Sequence, residues 1–277
     1  MSGKLYLVAT PIGNLGDFTP RAIAAMEEAD FIAAEDTRVS LKLMNHFGIK
    51  KPMVSYHQHN CAAVGRTILD RLLSGETCAL VTDAGTPAIS DPGEDLVRLC
   101  AQHDVEVYSI PGCCALISAL AVSGLSTRRF TFEGFLSVNK KERREHLKSL
   151  TGEQRTMIFY EAPHKLSATL KDLYAAFGDR QITLCREITK LHEETMRTTL
   201  AQAVAHYEEN TPKGEFVLVL AGAEPVEDIS VTMEQGVEMV LRLREGGQRM
   251  KDAVRQVAAD TGLNKNELYD AALKAQE

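Results

Sequence analysis

The sequence contains no run of about 18 apolar residues, the length that a membrane-spanning helix requires. Its first residues, MSGKLYLVATP, lack the long apolar stretch and the cleavage pattern of a signal peptide. The six cysteines are scattered, and no two have the C-x-x-C spacing typical of zinc and redox sites. We therefore expect free, buried thiols in a reducing cytoplasm and no segment embedded in a membrane.

Several nucleotide-binding and hydrolase motifs are also missing. The segment GNLG (13–16) is only G-x-x-G, and there is no G-x-G-x-x-G, Walker A, G-x-S-x-G or H-E-x-x-H. In HQHNC (57–61), His57 and His59 would point the same way in an extended segment and could then bind a metal. Because two histidines without a carboxylate in reach are more often polar loop residues, we predict no metal site.

The composition is that of an ordinary globular protein, with 44% hydrophobic and 25% charged residues. A length of 277 residues suits two domains of roughly 150 residues each. The net charge of −7 argues against a nucleic-acid binder that is basic over its whole surface.

Strands and helices alternate in the first part of the chain, which predicts βαβ units and a largely parallel sheet. The expected strands are 4–10, 30–34, 77–82 and 105–110, and the expected helices are 19–29, 60–75 and 93–103. Thr19 and Asn60 are predicted N-caps of the first two helices. The apolar segment 113–123 is predicted to be a buried helix, in the core or at an interface.

A second alternating block follows a Gly/Ser/Thr stretch at 123–128. Its expected strands are 129–135, 156–162, 181–187 and 215–222, with helices at 163–177 and 198–209. An acidic linker at 223–230 ends this block, and the rest of the chain has a helical pattern. The predicted domains are therefore 1–123, 124–225 and 226–277.

The C-terminal segment 250–273 predicts two short helices joined by a turn at Gly262, with Asn264 and Glu267 as a capping box. Such a pair forms a helix-turn-helix-like unit, which could contact nucleic acid or could be a purely structural helical cap.

Three loops that follow strands of the first block are rich in glycine and proline: TPIGNLGDFT (10–19), DAGTPAISDPG (83–93) and PGCCA (111–115). Ligands of open α/β sheets bind outside the carboxyl ends of the strands. Glycine lets the backbone approach a ligand closely, and proline stiffens the loop. One such loop could be an ordinary tight turn, but three in consecutive units favour a site that holds a nucleotide or nucleoside through main-chain hydrogen bonds.

Several motifs together resemble one family: LVATPIGNLGDFTPRA, AAEDTR (33–38), LVTDAGTPAISDPG, FEGFL (132–136), IFYEAPHKL (158–166) and CREITKLHEE (185–194). It is the bacterial small-subunit ribosomal RNA 2′-O-methyltransferase I family, within the tetrapyrrole methylase superfamily. The likeness covers about residues 4–222, and the C-terminal helices resemble the small helical domain of that family. One departure is Cys113, which stands where the third loop of the family usually has a proline, so this loop is expected to be slightly less rigid.

The resemblance implies two α/β domains of the tetrapyrrole methylase type with a cleft between them, plus a small C-terminal helical domain. It also implies S-adenosylmethionine bound in the cleft, a homodimer, and methylation of a cytidine ribose in the decoding region of small-subunit (16S) ribosomal RNA. The cofactor-binding residues that it implies are Pro11, Asp83, Ala84, Gly85, Ile89, Cys114, Ala115, Tyr160 and Glu187. Asp83 could instead form an Asx-turn that only caps its own loop.

The base that takes the proton of the ribose hydroxyl is harder to assign. Asp36 could accept this proton, and Arg38 could bind a phosphate bidentately. The two could equally form a buried ion pair that holds their loop. Glu161 is a second candidate base, and some members of the superfamily rely on alignment of the reactants alone.

Basic residues outnumber acidic ones in the segments 140–148 and 242–255. Such stripes bind phosphates in a salt-dependent way, although each could also be an ordinary solvated helix face. We predict that changing Lys140, Lys141, Arg143 and Arg144 together weakens RNA binding and leaves cofactor binding intact. Two alternatives remain, a methyltransferase acting on a small tetrapyrrole and a non-catalytic RNA-binding protein.

Overall fold

The structure is a computed structural model that describes residues 2–224 and 231–275. The chain divides into two compact units, Met1–Ala223 and Glu224–Glu277. Most of the predicted acidic linker, together with the predicted boundary at 225/226, lies outside the described residues. A division of the first unit into two domains near residue 123 stays a prediction.

The first sheet has five strands: β1 (Lys4–Val8), β2 (Phe31–Ala34), β3 (Met53–Ser55), β4 (Cys78–Val81) and β5 (Glu106–Ile110). Their order is β3-β2-β4-β1-β5, and all neighbouring pairs are parallel, as the alternating pattern predicts. All four residues of β4 are buried, in agreement with its continuous apolar sequence. The carboxyl ends of these strands therefore meet at one edge, where the three Gly/Pro-rich loops emerge.

Four helices cover this sheet: α1 (Pro20–Glu28), α2 (Thr37–Phe47), α3 (Cys61–Leu73) and α4 (Glu94–Gln102). Separate hydrophobic clusters on its two faces hold α1 and α2 on one side and α3 and α4 on the other. Thr19 caps α1, because its hydroxyl oxygen accepts the Ala22 amide at 3.1 Å. Asn60 occupies the N-cap position of α3 as predicted, but its side chain makes no capping bond, since its oxygen accepts the His57 amide outside the helix.

The apolar helix α5 (Ala115–Ser123) packs one face on the second sheet, where Leu116, Ala119 and Leu120 are buried. Its other face carries Ile117 and Val122, whose exposed fractions are 48% and 45%. The prediction of a buried helix holds for one side of α5 only, because its other side has no packing partners in the described chain, and a role at an interface stays a prediction.

The second sheet contains β6 (Phe130–Phe135), β7 (Thr156–Glu161), β8 (Gln181–Arg186), β9 (Glu194–Thr199) and β10 (Phe216–Leu220). The order is β6-β7-β10-β8-β9, with β6 and β7 parallel and the other pairs antiparallel. Helix α5 packs on one face of this sheet. The other face is covered by α6 (Lys140–Ser149), α7 (Pro163–Phe177) and α8 (Leu200–Glu209).

The second unit contains α9 (Met233–Glu245), α10 (Met250–Thr261) and α11 (Lys265–Lys274), packed around Val240, Val254, Val257 and Leu268. Gly262 ends α10 in the left-handed conformation, and the side chain of Asn264 accepts the Asn266 and Glu267 amides. The complete capping box lies elsewhere, at Thr232 and Gln235 of α9. None of the helices in residues 2–224 and 231–275 combines the length and the apolar character needed to cross a membrane.

Candidate active site

A cavity of about 430 Å³ lies in the first unit, where the loops that follow β1, β4 and β5 meet the ends of β6, β7 and β10. Of the residues that the sequence assigns to the site, eight line it: Asp83, Ala84, Gly85, Ile89, Cys114, Ala115, Tyr160 and Glu161. Pro11, Glu187, Asp36 and Arg38 are not among the lining residues, although Ile12 beside Pro11 is. The roles of all these residues stay predictions.

The three loops are bonded to one another. The Thr10 amide donates to the Gly85 carbonyl at 2.8 Å, and the Gly85 amide donates back to Thr10 at 3.1 Å. The Thr86 hydroxyl donates to the Cys113 carbonyl at 2.9 Å, which ties the second loop to the third. The amide and the carbonyl of Gly85 are thus both bonded to Thr10. The main contribution of Gly85 to ligand binding is that a ligand can come close to its backbone, because no Cβ stands in the way.

The third loop is packed tightly against the first strand. A Cβ at Gly112 would lie 2.9 Å from the Cβ of Ala9, a distance that requires the backbone to move. At the next position the Cys113 thiol donates to the Asp17 carbonyl at 3.8 Å. This thiol provides a link to the first loop that a proline at position 113 could not make.

Strained backbone is concentrated beside the cavity. Ala88 and Ser90, in the second loop, have φ values of 66° and 68°, and Glu187 and Thr189 have values of 51° and 66°. Residues other than glycine rarely adopt this left-handed backbone region, and the residues that do adopt it cluster at functional sites. The Glu187 carboxylate accepts the Glu215 amide at 2.9 Å and the Lys190 ammonium at 3.0 Å, and these bonds lower its pKa. Glu187 therefore holds Lys190, which lines the cavity.

Three carboxylates, those of Glu35, Asp83 and Asp91, line the cavity together. The Asp83 side chain accepts the Asp36 amide at 3.1 Å, and the Asp83 amide donates to Glu35 at 3.3 Å. Asp83 thus joins β4 to the end of β2. Burial raises the pKa of each carboxyl, and repulsion from the other two contributes to raising that of Asp91 to about 7. Glu35 and Asp91 were missed as site residues, although both stand in motifs recognised from the sequence.

Asp36 and Arg38 form an exposed ion pair. Both Asp36 carboxylate oxygens accept Arg38, with Nη2 at 2.6 Å from one and Nε at 3.0 Å from the other. These bonds lower the pKa of Asp36 to about 2, which makes it a weak proton acceptor. The Arg38 side chain is 87% exposed and remains accessible to an anion.

Tyr160 and Glu161, at the end of β7, form part of the cavity wall, and hydrogen bonds hold both side chains in place. The Tyr160 hydroxyl oxygen accepts the Leu116 amide at 3.1 Å, and burial raises its pKa to about 12. One Glu161 oxygen accepts the Ala162 amide at 2.9 Å, and the other accepts the Thr169 hydroxyl. Thr169 in turn accepts the Arg143 guanidinium at 2.9 Å, so both Glu161 oxygens hold structural partners.

The basic segment 140–148 forms α6, and its predicted RNA-binding residues have different environments. Lys140, Lys141 and Arg144 are exposed. Arg143 has only 13% of its side chain exposed, and its Nε lies 2.6 Å from the Asp172 carboxylate of α7. Arg143 thus holds two helices together, and three side chains remain available to bind phosphates.

The histidines of HQHNC do not gather other ligands. The ring nitrogen Nδ1 of His57 accepts the His59 amide at 3.2 Å. Within residues 2–224 and 231–275, no group of three or more His, Cys, Asp or Glu side chains is arranged to hold a metal ion.

Comparisons with known families match both units. The profile of the tetrapyrrole (corrin/porphyrin) methylases matches residues 4–204, and that of the RsmI C-terminal HTH domain matches residues 234–276. These matches confirm the expected fold class, including the helical C-terminal unit.

Relatives named ribosomal RNA small subunit methyltransferase I match the chain over nearly its full length. The protein of Synechocystis sp. is 50% identical over 99% of both chains. The protein of Halalkalibacterium halodurans is 48% identical, and that of Bacillus subtilis is 42% identical, each over 97% of this chain and 94% of the relative.

Two solved structures share the fold of the first unit at low identity. A diphthine synthase has a TM-score of 0.60 and 16% identity, and covers 79% of this chain and 90% of its own. A cobalt precorrin-4 methyltransferase has a TM-score of 0.55 and 20% identity, and covers 78% of this chain and 94% of its own.

Proposed function

Because this chain belongs to the ribosomal RNA small subunit methyltransferase I family of tetrapyrrole methylases, we propose that it methylates small-subunit ribosomal RNA. The methyl group comes from S-adenosylmethionine, and the acceptor is the 2′-oxygen of a cytidine ribose in the decoding region. The observation that supports this reaction best is the cavity that three mutually bonded loops form with the edge of the second sheet.

The cavity suits this cofactor in size and charge. Its volume of about 430 Å³ lies within the roughly 300–1,000 Å³ range of small-molecule sites. Glu35, Asp83 and Asp91 give one wall a negative potential, which favours a cationic ligand such as a sulfonium. When bound, the cofactor supplies an electrophilic methyl carbon. Its binding residues in this proposal are those predicted from the sequence that line the cavity, together with Ile12.

The chain contributes to the reaction mainly by orientation. Methyl transfer is an in-line displacement, and correct alignment of the reactants can supply about 7–11 kcal/mol. The bonds among Thr10, Gly85, Thr86 and Cys113 hold the three loops in one arrangement. Pro11 and Glu187 then act indirectly, by shaping the first loop and by fixing Lys190.

Asp91 is the best placed side chain to accept the proton of the ribose hydroxyl. It lines the cavity, and its pKa of about 7 suits a base that works near neutral pH. Asp36 is bound to Arg38, and Glu161 is bound to Ala162 and Thr169, so neither carboxylate is as available as Asp91. Arg38 remains the proposed phosphate ligand beside the site.

The RNA contacts of the first unit are proposed for Lys140, Lys141 and Arg144 of α6. Phosphate binding by such exposed side chains is salt-dependent, and it can operate on a molecule with a net charge of −7 because the basic residues are clustered. We place the protein in the cytoplasm, where its substrate is assembled, and propose that it acts as a homodimer.

The test is methyl transfer from a labelled donor to purified small ribosomal subunits, followed by alkaline hydrolysis of the RNA. A ribose 2′-O-methyl group blocks strand cleavage, so we expect label in a single alkali-resistant linkage at a cytidine. Transfer to a tetrapyrrole instead would identify a small-molecule methyltransferase. RNA binding without any transfer would identify a non-catalytic RNA-binding protein.

A further inference from the structure

An exposed phenylalanine stands at the mouth of the cavity. Phe135, the last residue of β6, lines the cavity and yet has an exposed fraction of 56%. This fraction is the largest of any aromatic side chain in the described part of the chain. The Phe135 ring lies 5.6 Å from the ring of Tyr160, at an interplanar angle of 63°.

An irregularity in β6 turns this ring toward the cavity. Side chains alternate between the faces of a regular strand, so residues three apart point to opposite sides. Between Phe132 and Gly134 the register shifts, so that Phe132 pairs with Ile158 and Phe135 pairs with Tyr160. Phe132 and Phe135 consequently both contact Tyr160, at ring distances of 4.9 Å and 5.6 Å.

The backbone of the bulge depends on Gly134, which has a φ of 63°. Bulges of this kind redirect a side chain and are common next to active sites. The strand therefore uses a conformation that glycine adopts readily and other residues rarely adopt to place an apolar ring where water reaches it. Burial of the same ring would have been favourable, so its exposure points to a ligand.

The basic helix α6 begins shortly after Phe135 in the chain. Leu136 is buried, and the Asn139 side chain caps α6 by accepting the Lys141 amide at 2.9 Å. The segment between the ring and the helix is thus fixed at both ends. Lys140 and Lys141 follow Phe135 by five and six positions, and so lie within roughly 20 Å of it even if the chain were fully extended.

We propose that Phe135 stacks on the base of the nucleotide whose ribose receives the methyl group, while Lys140 and Lys141 bind the phosphates beside it. Proteins commonly recognise unpaired RNA by stacking its bases on aromatic rings and tracking its backbone with basic side chains. A nucleotide whose ribose enters the cavity of this protein leaves its stack in a structured RNA, and an exposed ring compensates for the lost stacking. The inference rests on the proposed function and adds the element that orients its substrate.

Substitutions at position 135 separate stacking from simple apolar contact. Phe135→Tyr should keep kcat/KM for subunit methylation within about twofold, whereas Phe135→Leu and Phe135→Ala should both lower it by roughly 5- to 150-fold. The affinity for S-adenosylmethionine, measured by calorimetry without RNA, should stay unchanged in all three variants. Full activity of Phe135→Leu would overturn the proposal, as would a loss of cofactor affinity that accounts for the whole defect.

Photocrosslinking provides a readout that does not depend on methyl transfer. With p-benzoylphenylalanine in place of Phe135, irradiation with small ribosomal subunits should stop reverse transcription at the modified nucleotide or its immediate neighbour. The control is the same substitution at Tyr174, which lies on α7, is 43% exposed and does not line the cavity. Crosslinks from position 135 that match those from position 174, or that fall only on the cofactor, would overturn the proposal. If the position-135 variant crosslinks as expected but the wild-type protein transfers no methyl group, the proposed function fails separately.

Discussion

At the scale of single residues, Asp91 shows how surroundings change the chemistry of a carboxyl group. Its side chain lies beside Glu35 and Asp83 in a partly enclosed cavity. Burial first, and then the two neighbouring charges, raise its pKa to about 7 from an ordinary value of 3.8. The same residue type at position 36, bonded to an arginine, has a pKa of about 2.

We expect methyl transfer to rise with pH through about 7, because the proposed base must lose its proton. Asp91→Asn should remove this rise and lower kcat by roughly 10²–10⁴-fold. The measurement is the pH profile of kcat/KM, which reports the pKa values of the free enzyme. A rise that persists unchanged in the variant would assign the titration to another group.

The free energy of unfolding provides the control for this variant. The contribution of Asp91 to it falls as pH rises, whereas the expected activity rises with pH. The folded chain raises the pKa of Asp91, so the contribution of this group to stability is complete below about pH 4 and is lost as pH rises through about 7. The shift alone corresponds to about 4 kcal/mol, which water access to the carboxyl reduces to about 1–2 kcal/mol. Asp91→Asn should therefore unfold at higher denaturant concentration than the wild type at pH 8.

The sequence predicted the three loops but not all of the residues that act in them. Glycine and proline mark turns locally, so the loop 83–93 could be assigned to a ligand site from its own segment, whereas the roles of Asp83, Ala84 and Gly85 were implied by the family resemblance. Glu35 acquires its raised pKa from burial and from charges that include Asp83, and Asp91 acquires its own from burial and from Glu35 and Asp83. No pattern within either segment reports such a contact.

At the scale of elements, α6 separates two kinds of basic residue that look alike in the sequence. The helix begins after Asn139, whose side chain caps it, and it contains a polar, mostly charged run. Whether Arg143 or Arg144 faces the neighbouring helix depends on α7, where Asp172 and Thr169 bind Arg143. The neighbouring Arg144 stays exposed.

We expect the triple variant Lys140→Gln, Lys141→Gln and Arg144→Gln to weaken binding to small subunits. Each phosphate contact that is lost should reduce the slope of log affinity against log salt by roughly 0.7–0.9. Titrations at several salt concentrations measure both effects, and the affinity for S-adenosylmethionine should not change. An unaltered slope would show that α6 does not contact phosphates.

Arg143→Gln is the matched control on the same helix. Because this side chain bonds to Asp172 and Thr169, we expect its loss to lower the free energy of unfolding by about 1–3 kcal/mol. It should reduce the salt slope far less than the triple variant. A salt effect as large as that of the triple variant would place Arg143 on the RNA.

The elements that the sequence did not predict are those whose patterns are weak. Helix α2 follows directly on a strand, and β3 has only three residues. Strand β9, with the sequence ETMRTT, lies at a sheet edge and is largely polar. Edge strands need little apolar sequence, because only their neighbour pairs with them. The antiparallel pairing of the second sheet likewise depends on partners that are distant in sequence.

At the scale of the whole molecule, the exposed side of α5 remains to be explained. Ile117 and Val122 present apolar surface on a helix whose opposite side packs on the second sheet. Exposed apolar patches on soluble proteins commonly mark interfaces, and most homo-oligomers are twofold dimers. This surface is our candidate for the contact between two copies of the chain.

We expect the wild-type protein to sediment as a dimer and the double variant Ile117→Glu and Val122→Glu to sediment as a monomer, because the charges would be buried in the contact. Analytical ultracentrifugation over a range of concentrations makes the comparison. Leu73→Glu on α3 is the control, since Leu73 is 46% exposed and should leave the dimer intact. A double variant that remains dimeric would place the interface elsewhere.

The links among the loops also decide when the cavity can exist during folding. Thr10 must meet Gly85, and Thr86 must meet Cys113, which are 75 and 27 positions apart. The wall at Tyr160 then needs Leu116, a further 44 positions away along the chain. With the methyl donor in this cavity, as proposed, a nascent polypeptide has no site for it until both sheets have assembled, and partly synthesised chains do not compete with the finished protein for it.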